Sequence, residues 1–430
     1  MNIFVAGLFH LGCVTAACLA KGGHDVRGYD AHADIIKKLQ AGHAPIFEPG
    51  LDDLISAEHE AKKLRFSSTL EDAKEADIMW VTYDTPVNDH DVADTAFVID
   101  QIIMLLPYAK DNALVIISSQ LPVGTTRKLQ TICQKRFPEK NLSFSYIPEN
   151  LRLGKAIQAF TQPDRLIVGI QREIDKANIM QVMQPFTQNF VWMSIESAEM
   201  TKHALNAFLA MSVIFINELA VICERVGADA REVERGLKSE ERIGPKAYLR
   251  PGNAIAGGTL ARDVNYLIEI GKNKSIQTPL FSALLNSNDY HKQWPRRKLI
   301  DKLKNLKNKR IAVLGLTYKT GTDTLRRSFA IELCQWLFNQ GAYVIAHDPI
   351  VDVLPAEFAE FIDLKISIDH ALHQSDAIVI STEWPALHLL TADQVIQQAN
   401  QPLIFDPSGF LINQFGSDKR IQYFSVGKEA

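Results

Sequence analysis

The chain has 430 residues, 47% of them hydrophobic and 22% charged, with a formal net charge of −4. At roughly 100–200 residues per domain this length corresponds to two or three domains, and the composition is that of a soluble globular protein. The near-neutral charge offers no basis for binding nucleic acid or an acidic membrane surface; local basic runs such as Lys302–Arg310 read as a solvated helix end and linker.

The first segment alternates strand and helix. Ile3–Ala6 is a short apolar strand ending at Gly7, and Cys13–Lys21 is a helix of small residues stopped by Gly22 and Gly23. Asp25–Tyr29 is a second strand ending at Asp30, followed by a helix over Ala33–Ala41 stopped by Gly42. Further strands are expected at Ile78–Thr82, Ala113–Ser118 and Leu142–Ile147. Strands alternating with helices imply a doubly wound parallel sheet. The N-terminus opens straight into a strand without the basic region of a signal peptide, and no apolar run approaches the roughly 18 residues that span a bilayer. A cytoplasmic protein without membrane contact is therefore expected. The five cysteines, Cys13, Cys18, Cys133, Cys223 and Cys334, form no CxxC pair and read as reduced, buried thiols, with no metal site expected.

The middle reads as one long helix over Ala198–Val226, with Met200, Ala204, Ala207, Met211, Ile214 and Leu219 at helical spacing. A shorter helix, Asp229–Leu237, follows the stop at Gly227. The third segment repeats the first pattern: a strand over Arg310–Leu316, a helix over Ser328–Asn339 stopped by Gly341, and a strand over Tyr343–His347 ending at Asp348. Strands at Ala377–Ser381 and Leu403–Phe405 complete it. The expected fold class is α/β: two Rossmann-like doubly wound domains (1–197 and 301–430) joined by a long central helix within a helical bridge (198–300). The lysine- and asparagine-rich stretch Asp301–Lys309 is the expected linker, and the long helix is the expected surface of a homodimer.

The turn after the first strand reads Gly7-Leu8-Phe9-His10-Leu11-Gly12. A dinucleotide-binding turn is G-x-G-x-x-G: the first glycine makes the turn, the second lets the backbone approach the pyrophosphate, and the third lets helix pack on strand. Gly7 and Gly12 fit, and Phe9 stands at the middle glycine. Asp30, at the end of the second strand, is placed to bind a ribose diol and to disfavour a 2′-phosphate, which points to NAD. Lys202 and Asn206 are four apart and share a helix face; an ammonium and an amide so placed can polarise an oxygen that develops negative charge.

Longer stretches resemble the UDP-glucose/GDP-mannose dehydrogenase family. They are Gly28-Tyr-Asp30, Ala41-Gly-His-Ala-Pro-Ile-Phe-Glu-Pro-Gly-Leu51, Thr85-Pro86, Ser119-Gln-Leu-Pro-Val-Gly-Thr125 and Ile147-Pro-Glu-Asn-Leu-Arg-Leu-Gly154 with Pro163-Asp-Arg165. Ala198-Glu-Met-Thr-Lys-His-Ala-Leu-Asn206 matches the active-site helix of that family, and Gly315-Leu-Thr-Tyr-Lys319 with Arg326 matches the start of its nucleotide-sugar domain. The resemblance implies NAD as cofactor, a nucleotide-sugar substrate and a dimer. It implies cofactor contacts from Gly7, Phe9, His10, Leu11, Gly12, Asp30, Thr85 and Arg326. It implies substrate contacts from Arg152, Tyr248, Arg250, Gly252, Gly257 and Lys319. Catalytic roles fall to Lys202, Asn206, Asp263, Glu149, Gln120 and Thr259.

The family oxidises an alcohol to an aldehyde, captures the aldehyde on a cysteine thiolate, oxidises the adduct and hydrolyses the thioester. In Pro251-Gly-Asn-Ala-Ile-Ala-Gly-Gly-Thr-Leu-Ala-Arg-Asp263 the cysteine position is Thr259, and two loop glycines become Ala254 and Ala256. A thiol is partly ionised near neutral pH and strongly nucleophilic, whereas a threonine hydroxyl is neither. Gln120, Leu153, Thr324 and Arg327 depart from the family as well, and Asp406-Pro-Ser-Gly409 replaces its late arginine–asparagine pair. The expected activity is NAD-dependent oxidation of a UDP-hexose such as UDP-glucose, limited to one two-electron step. Two alternatives stand beside it: full oxidation to the uronate through an aldehyde hydrate, and a non-catalytic nucleotide-sugar-binding homologue.

Overall fold

The structure is a computed structural model that describes residues 1–86, 93–255 and 258–428. The chain divides into two compact units, Met1–Leu205 and Asn206–Ala430.

The first unit is built on eight strands: β1 (Asn2–Ala6), β2 (Asp25–Tyr29), β3 (Leu64–Ser67), β4 (Ile78–Val81), β5 (Leu114–Ile117), β6 (Ser143–Tyr146), β7 (Leu166–Ile170) and β8 (Phe190–Met193). Their order in the sheet is β3-β2-β1-β4-β5-β6-β7-β8. All neighbours are parallel except β6 and β7, which pair antiparallel through Ser145 with Ile170 and Tyr146 with Gly169. The central strands β4 (IMWV) and β5 (LVII) are buried at every position, as expected of strands covered on both faces. The covering helices are α1 (His10–Lys21), α2 (Ala33–Gln40), α3 (Leu51–Glu60), α4 (Thr95–Leu105), α5 (Thr125–Arg136), α6 (Ala156–Thr161) and α7 (Asp175–Met183). Helix α1 begins three residues earlier than its sequence implies, because His10–Gly12 already belong to its first turn.

Helix α8 (Ile195–Val226) carries the chain from the first unit into the second. It holds an 18-residue window of mean hydropathy 1.9, so by length and composition it is apolar enough to cross a membrane, and 44% of that window is buried within the protein. Its buried residues include the polar Glu199, Lys202, His203, Asn206, Asn217 and Glu224. Phe208, Phe215 and Ile222, seven residues apart, are 62%, 51% and 54% exposed.

In the second unit, α9 (Ala230–Ser239) is followed by α10 (Thr259–Asn273), α11 (Pro279–Lys292) and α12 (Trp294–Leu303). Helix α12 runs to Leu303, so Asp301–Leu303 of the expected linker are helical and the connection proper starts at Lys304. The six strands β9 (Arg310–Leu314), β10 (Tyr343–His347), β11 (Asp363–Leu364), β12 (Ala377–Ile380), β13 (Leu403–Phe405) and β14 (Gln422–Phe424) form an all-parallel sheet in the order β11-β10-β9-β12-β13-β14. Helix α13 (Phe329–Asn339) follows β9.

The two sheets repeat one turn. In the first, Gly7 donates to the Tyr29 carbonyl at 2.9 Å and Leu8 N–H donates to Asp30 Oδ2 at 3.0 Å. In the second, Gly315 donates to the His347 carbonyl at 2.8 Å and Leu316 N–H donates to Asp348 Oδ2 at 2.7 Å. Each glycine takes a left-handed φ, +95° at Gly7 and +88° at Gly315, a conformation that glycine adopts without cost. An acid at the end of the second strand thus clasps the turn after the first strand in both halves.

Candidate active site

The turn Gly7–Gly12 opens α1. A Cβ on Gly12 would stand 1.8 Å from the Gly7 carbonyl oxygen, so the turn closes this tightly only with glycine there. Phe9 is the N-cap, at φ −101° and ψ −146°, and no side chain caps the helix. That backbone conformation does not require glycine, and the Phe9 ring is 44% exposed rather than buried in the turn. The first N–H groups of α1 therefore remain available to an anion, with the helix dipole behind them. Asp30 is buried; beyond Leu8 it accepts from His32 N–H at 3.0 Å and pairs through Oδ1 with His32 Nδ1 at 2.8 Å. The turn and the acid fit a dinucleotide pyrophosphate and ribose.

His10 joins this turn to a second loop. Its Nε2 lies 3.0 Å from Glu48 Oε2, and Glu48 also accepts from Gly154 N–H at 2.7 Å and from Ala156 N–H at 2.8 Å. Glu48 is buried, and one carboxylate so ties the cofactor turn to the loop carrying Glu149 and Arg152. Leu11 and Glu149 also line one cavity of about 70 Å³, together with Trp80, Ser118, Phe160 and Arg165. Arg152 is exposed on the same loop.

The buried stripe of α8 holds both loops of the first unit. Glu199 accepts from Gly124 N–H at 2.6 Å and Thr126 N–H at 2.9 Å, capping α5; burial pushes its carboxyl above the ordinary range. His203 Nε2 meets the Leu121 carbonyl at 3.1 Å. Thr85 Oγ1 donates to the Gln120 carbonyl at 2.6 Å, so Thr85 and Gln120 come together. Lys202 is buried; its Nζ donates to the Glu149 carbonyl and stands 3.6 Å from Glu149 Oε2. An ammonium and a carboxylate that are 53 residues apart in sequence become neighbours.

In the second unit, Asn206 Nδ2 donates to Asp263 Oδ2, and both residues are buried. Thr259 is the first residue of α10, exposed, and one turn before Asp263 on the same helix. Arg250 is exposed and donates to the Ser408 carbonyl at 3.4 Å, to which Arg231 also donates at 2.7 Å. Gly252 packs on Ser408: a Cβ there would stand 3.2 Å from Ser408 Cα. Tyr248 is 60% exposed. Lys319 and Arg326 are exposed on the loop between β9 and α13. Gly257 and Ala256 lie outside the described residues.

All five cysteines are free and buried. Burial pushes every one of their thiols above its ordinary value, Cys18 to about 12. Each lies inside a helix, on α1, α5, α8 or α13. A thiolate at neutral pH is therefore disfavoured at all five positions.

The residues missed by sequence reasoning are mostly those that orient others. Glu48 stands in the Ala41–Leu51 stretch, but its reach to residues 154 and 156 has no local signal. Glu199 lies one turn before Lys202 on α8, and only the fold shows that it caps α5.

Two Rossmann-type units with a dinucleotide turn, an acid at the end of the second strand and a buried lysine beside a half-buried carboxylate define an NAD-dependent oxidoreductase. Three family models match in order along the chain. They are the UDP-glucose/GDP-mannose dehydrogenase family NAD binding domain over residues 1–187, its central domain over 196–290 and its UDP binding domain over 312–413. UDP-glucose 6-dehydrogenase YwqF of Bacillus subtilis (strain 168) is 31% identical over 100% of this chain and 98% of its own. UDP-glucose 6-dehydrogenase of Rhizobium meliloti (strain 1021) is 32% identical over the full length of both. A UDP-glucose dehydrogenase from the archaeon Pyrobaculum islandicum has a solved structure that superposes with a TM-score of 0.83 at 26% identity, covering 93% of this chain and 96% of that one. The chain belongs to the UDP-glucose/GDP-mannose dehydrogenase family, and its activity is the NAD-dependent oxidation of a nucleotide sugar.

Proposed function

We propose that this protein oxidises a UDP-hexose, UDP-glucose foremost, at a sugar carbinol carbon and stops after one two-electron step. The observation that carries this reading is that the second unit holds a buried Asn206–Asp263 pair and opens α10 on an exposed Thr259, while all five cysteines are buried inside helices. The full-length relatives named UDP-glucose 6-dehydrogenase support the choice of sugar nucleotide.

Residues 1–197 hold the cofactor, 198–300 supply the catalytic helix and loop, and 301–430 hold the nucleotide. Gly7, Phe9, His10, Leu11 and Gly12 hold the pyrophosphate of NAD, Asp30 its ribose, and Thr85 and Arg326 add contacts. Bound NAD supplies the hydride acceptor. Lys202 and Asn206, four apart on α8, stabilise the oxygen of the carbinol as it loses its proton. Glu149, 3.6 Å from Lys202, takes that proton; Asp263 orients Asn206 and is the second carboxylate able to take it. Arg152, Tyr248, Arg250, Gly252, Gly257 and Lys319 contact the nucleotide sugar. Gln120 holds a water, and Thr259 hydrogen-bonds the carbonyl product without forming a covalent adduct.

Two copies associate through the exposed face of α8, where Phe208, Phe215 and Ile222 recur every seven residues, the spacing of a helix–helix seam. The buried polar residues of α8, Glu199, Lys202, His203, Asn206, Asn217 and Glu224 among them, favour a helix of a cytoplasmic protein over a membrane span.

The test incubates the protein with NAD and a panel of UDP- and GDP-sugars and follows NADH absorbance. UDP-glucose is expected to drive NADH formation. Absence of NADH with every sugar, combined with thermal stabilisation by UDP-glucose, would instead identify a binding protein without catalysis.

A further inference from the structure

The segment Pro251–Ile255 precedes α10 and belongs to no helix or strand. Three side chains from α8 and α11 satisfy five of its backbone polar groups. Asn217 Oδ1 accepts from Gly252 N–H at 2.9 Å, and Asn217 Nδ2 donates to the Asn253 carbonyl at 3.0 Å. Asn288 Oδ1 accepts from Ile255 N–H at 2.9 Å, and Asn288 Nδ2 donates to the Ile255 carbonyl at 3.0 Å. His291 Nε2 meets the Gly252 carbonyl at 2.7 Å. Asn217 is 1% exposed, and Asn288 and His291 are each 5% exposed.

The donor–acceptor pattern defines each side chain's state. Both asparagines face an N–H with oxygen and a carbonyl with nitrogen, so only one amide orientation satisfies both bonds. A carbonyl can only accept, so His291 carries its proton on Nε2 and leaves Nδ1 bare; that Nδ1 is buried without a protein partner among the described residues. Meanwhile Asn253 is exposed and Ala254 half-buried. The segment is thus held from its inner side and open on its outer side. A loop of this kind left free would give up its conformational entropy when ligand arrives, and affinity would fall accordingly.

We propose that Asn217, Asn288 and His291 are positioning residues for the nucleotide-sugar substrate. They act through the backbone of Gly252–Ile255, keep Gly252 against Ser408 and set the wall of the sugar pocket at Ala254. This inference rests on the proposed nucleotide-sugar function and adds to it the residues that preorganise the binding loop.

The test uses the full-length protein and the variants Asn288→Leu, His291→Phe and His291→Gln. It measures KM for UDP-glucose and for NAD, kcat, and amide hydrogen exchange across residues 252–255. Loss of one such bond corresponds to about a tenfold effect on affinity. Asn288→Leu and His291→Phe are therefore expected to raise KM for UDP-glucose about tenfold, with KM for NAD and kcat within about twofold. Glutamine at 291 can still donate to the Gly252 carbonyl and is expected to recover most of the loss. Exchange of the 252–255 amides rises locally in the two disruptive variants. Unchanged KM for UDP-glucose in an active enzyme overturns the inference, as does a rise in exchange spread evenly over the second unit, which marks a merely structural role. Should the parent protein neither bind nor oxidise UDP-glucose, the functional reading fails on its own. The exchange data then decide the pinning separately: local loss of protection upholds it, and unchanged protection overturns it.

Discussion

Glu48 offers a sharp test of how the first unit is held. Its buried carboxylate receives Gly154 N–H at 2.7 Å, Ala156 N–H at 2.8 Å and His10 at 3.0 Å. Glutamine keeps the volume but has one acceptor oxygen, so its amide nitrogen must face one of the two backbone N–H groups. A buried donor left without an acceptor, previously bonded to a charged group, costs about 1.5–3 kcal/mol. Loss of the negative charge from the start of α6 adds about 0.5 kcal/mol. The expected destabilisation is therefore about 2–4 kcal/mol. For a unit of this size that lowers Tm by roughly 4–16 °C, read by circular dichroism melts of Glu48→Gln against the parent. Because His10 opens α1 and Gly154 closes the Glu149 loop, KM for NAD should rise as well. A Tm within about 1 °C of the parent would show that water replaces these bonds at no cost, and the account of this clasp would be wrong.

Other perturbations address other parts of the account. Asn206→Ala removes an oxygen-polarising amide and is expected to lower kcat by roughly 10²–10³-fold with KM for NAD unchanged; steady-state kinetics at saturating sugar decide it. Phe215→Glu places a charge on the exposed face of α8 and is expected to yield a monomer by size exclusion with light scattering, and the parent is expected to elute as a dimer. His24 and His291 are both buried, and burial holds both below the ordinary value of 6.5. The unfolded chain thus takes up protons on them first, so this part of stability is complete above about pH 6.5 and is lost as pH falls through the folded values. Melts of the parent and of His291→Gln between about pH 5 and 7.5 should show a smaller decline in the variant.

Much of the architecture is legible in the residues. Strands β2, β10 and β13 coincide with the expected Asp25–Tyr29, Tyr343–His347 and Leu403–Phe405, because each is a short stretch bounded by glycine, aspartate or proline in the sequence. Edge strands such as β11, of two residues, leave no periodic signal. Helices α10–α12 carry buried polar residues, Asp263, Asn288 and His291 among them, which interrupt the apolar stripes that would announce these helices in sequence. The spacing of Lys202 and Asn206 is visible in sequence, whereas their partners Glu149 and Asp263 lie 53 and 57 residues away and meet them only through the fold. Asn217, Asn288 and His291 look like ordinary polar residues in helices. The one available hint is Asn217, which interrupts the most apolar part of α8.

The central claim is that nucleotide-sugar oxidation here ends at the carbonyl because Thr259 cannot carry a thioester. The direct measurement is the number of NADH formed per UDP-glucose consumed, with the product identified by mass. The account predicts one NADH and an aldehyde-level product for the parent, and a rise towards two NADH with acid formation for Thr259→Cys. Two NADH and a uronate from the parent protein would contradict it.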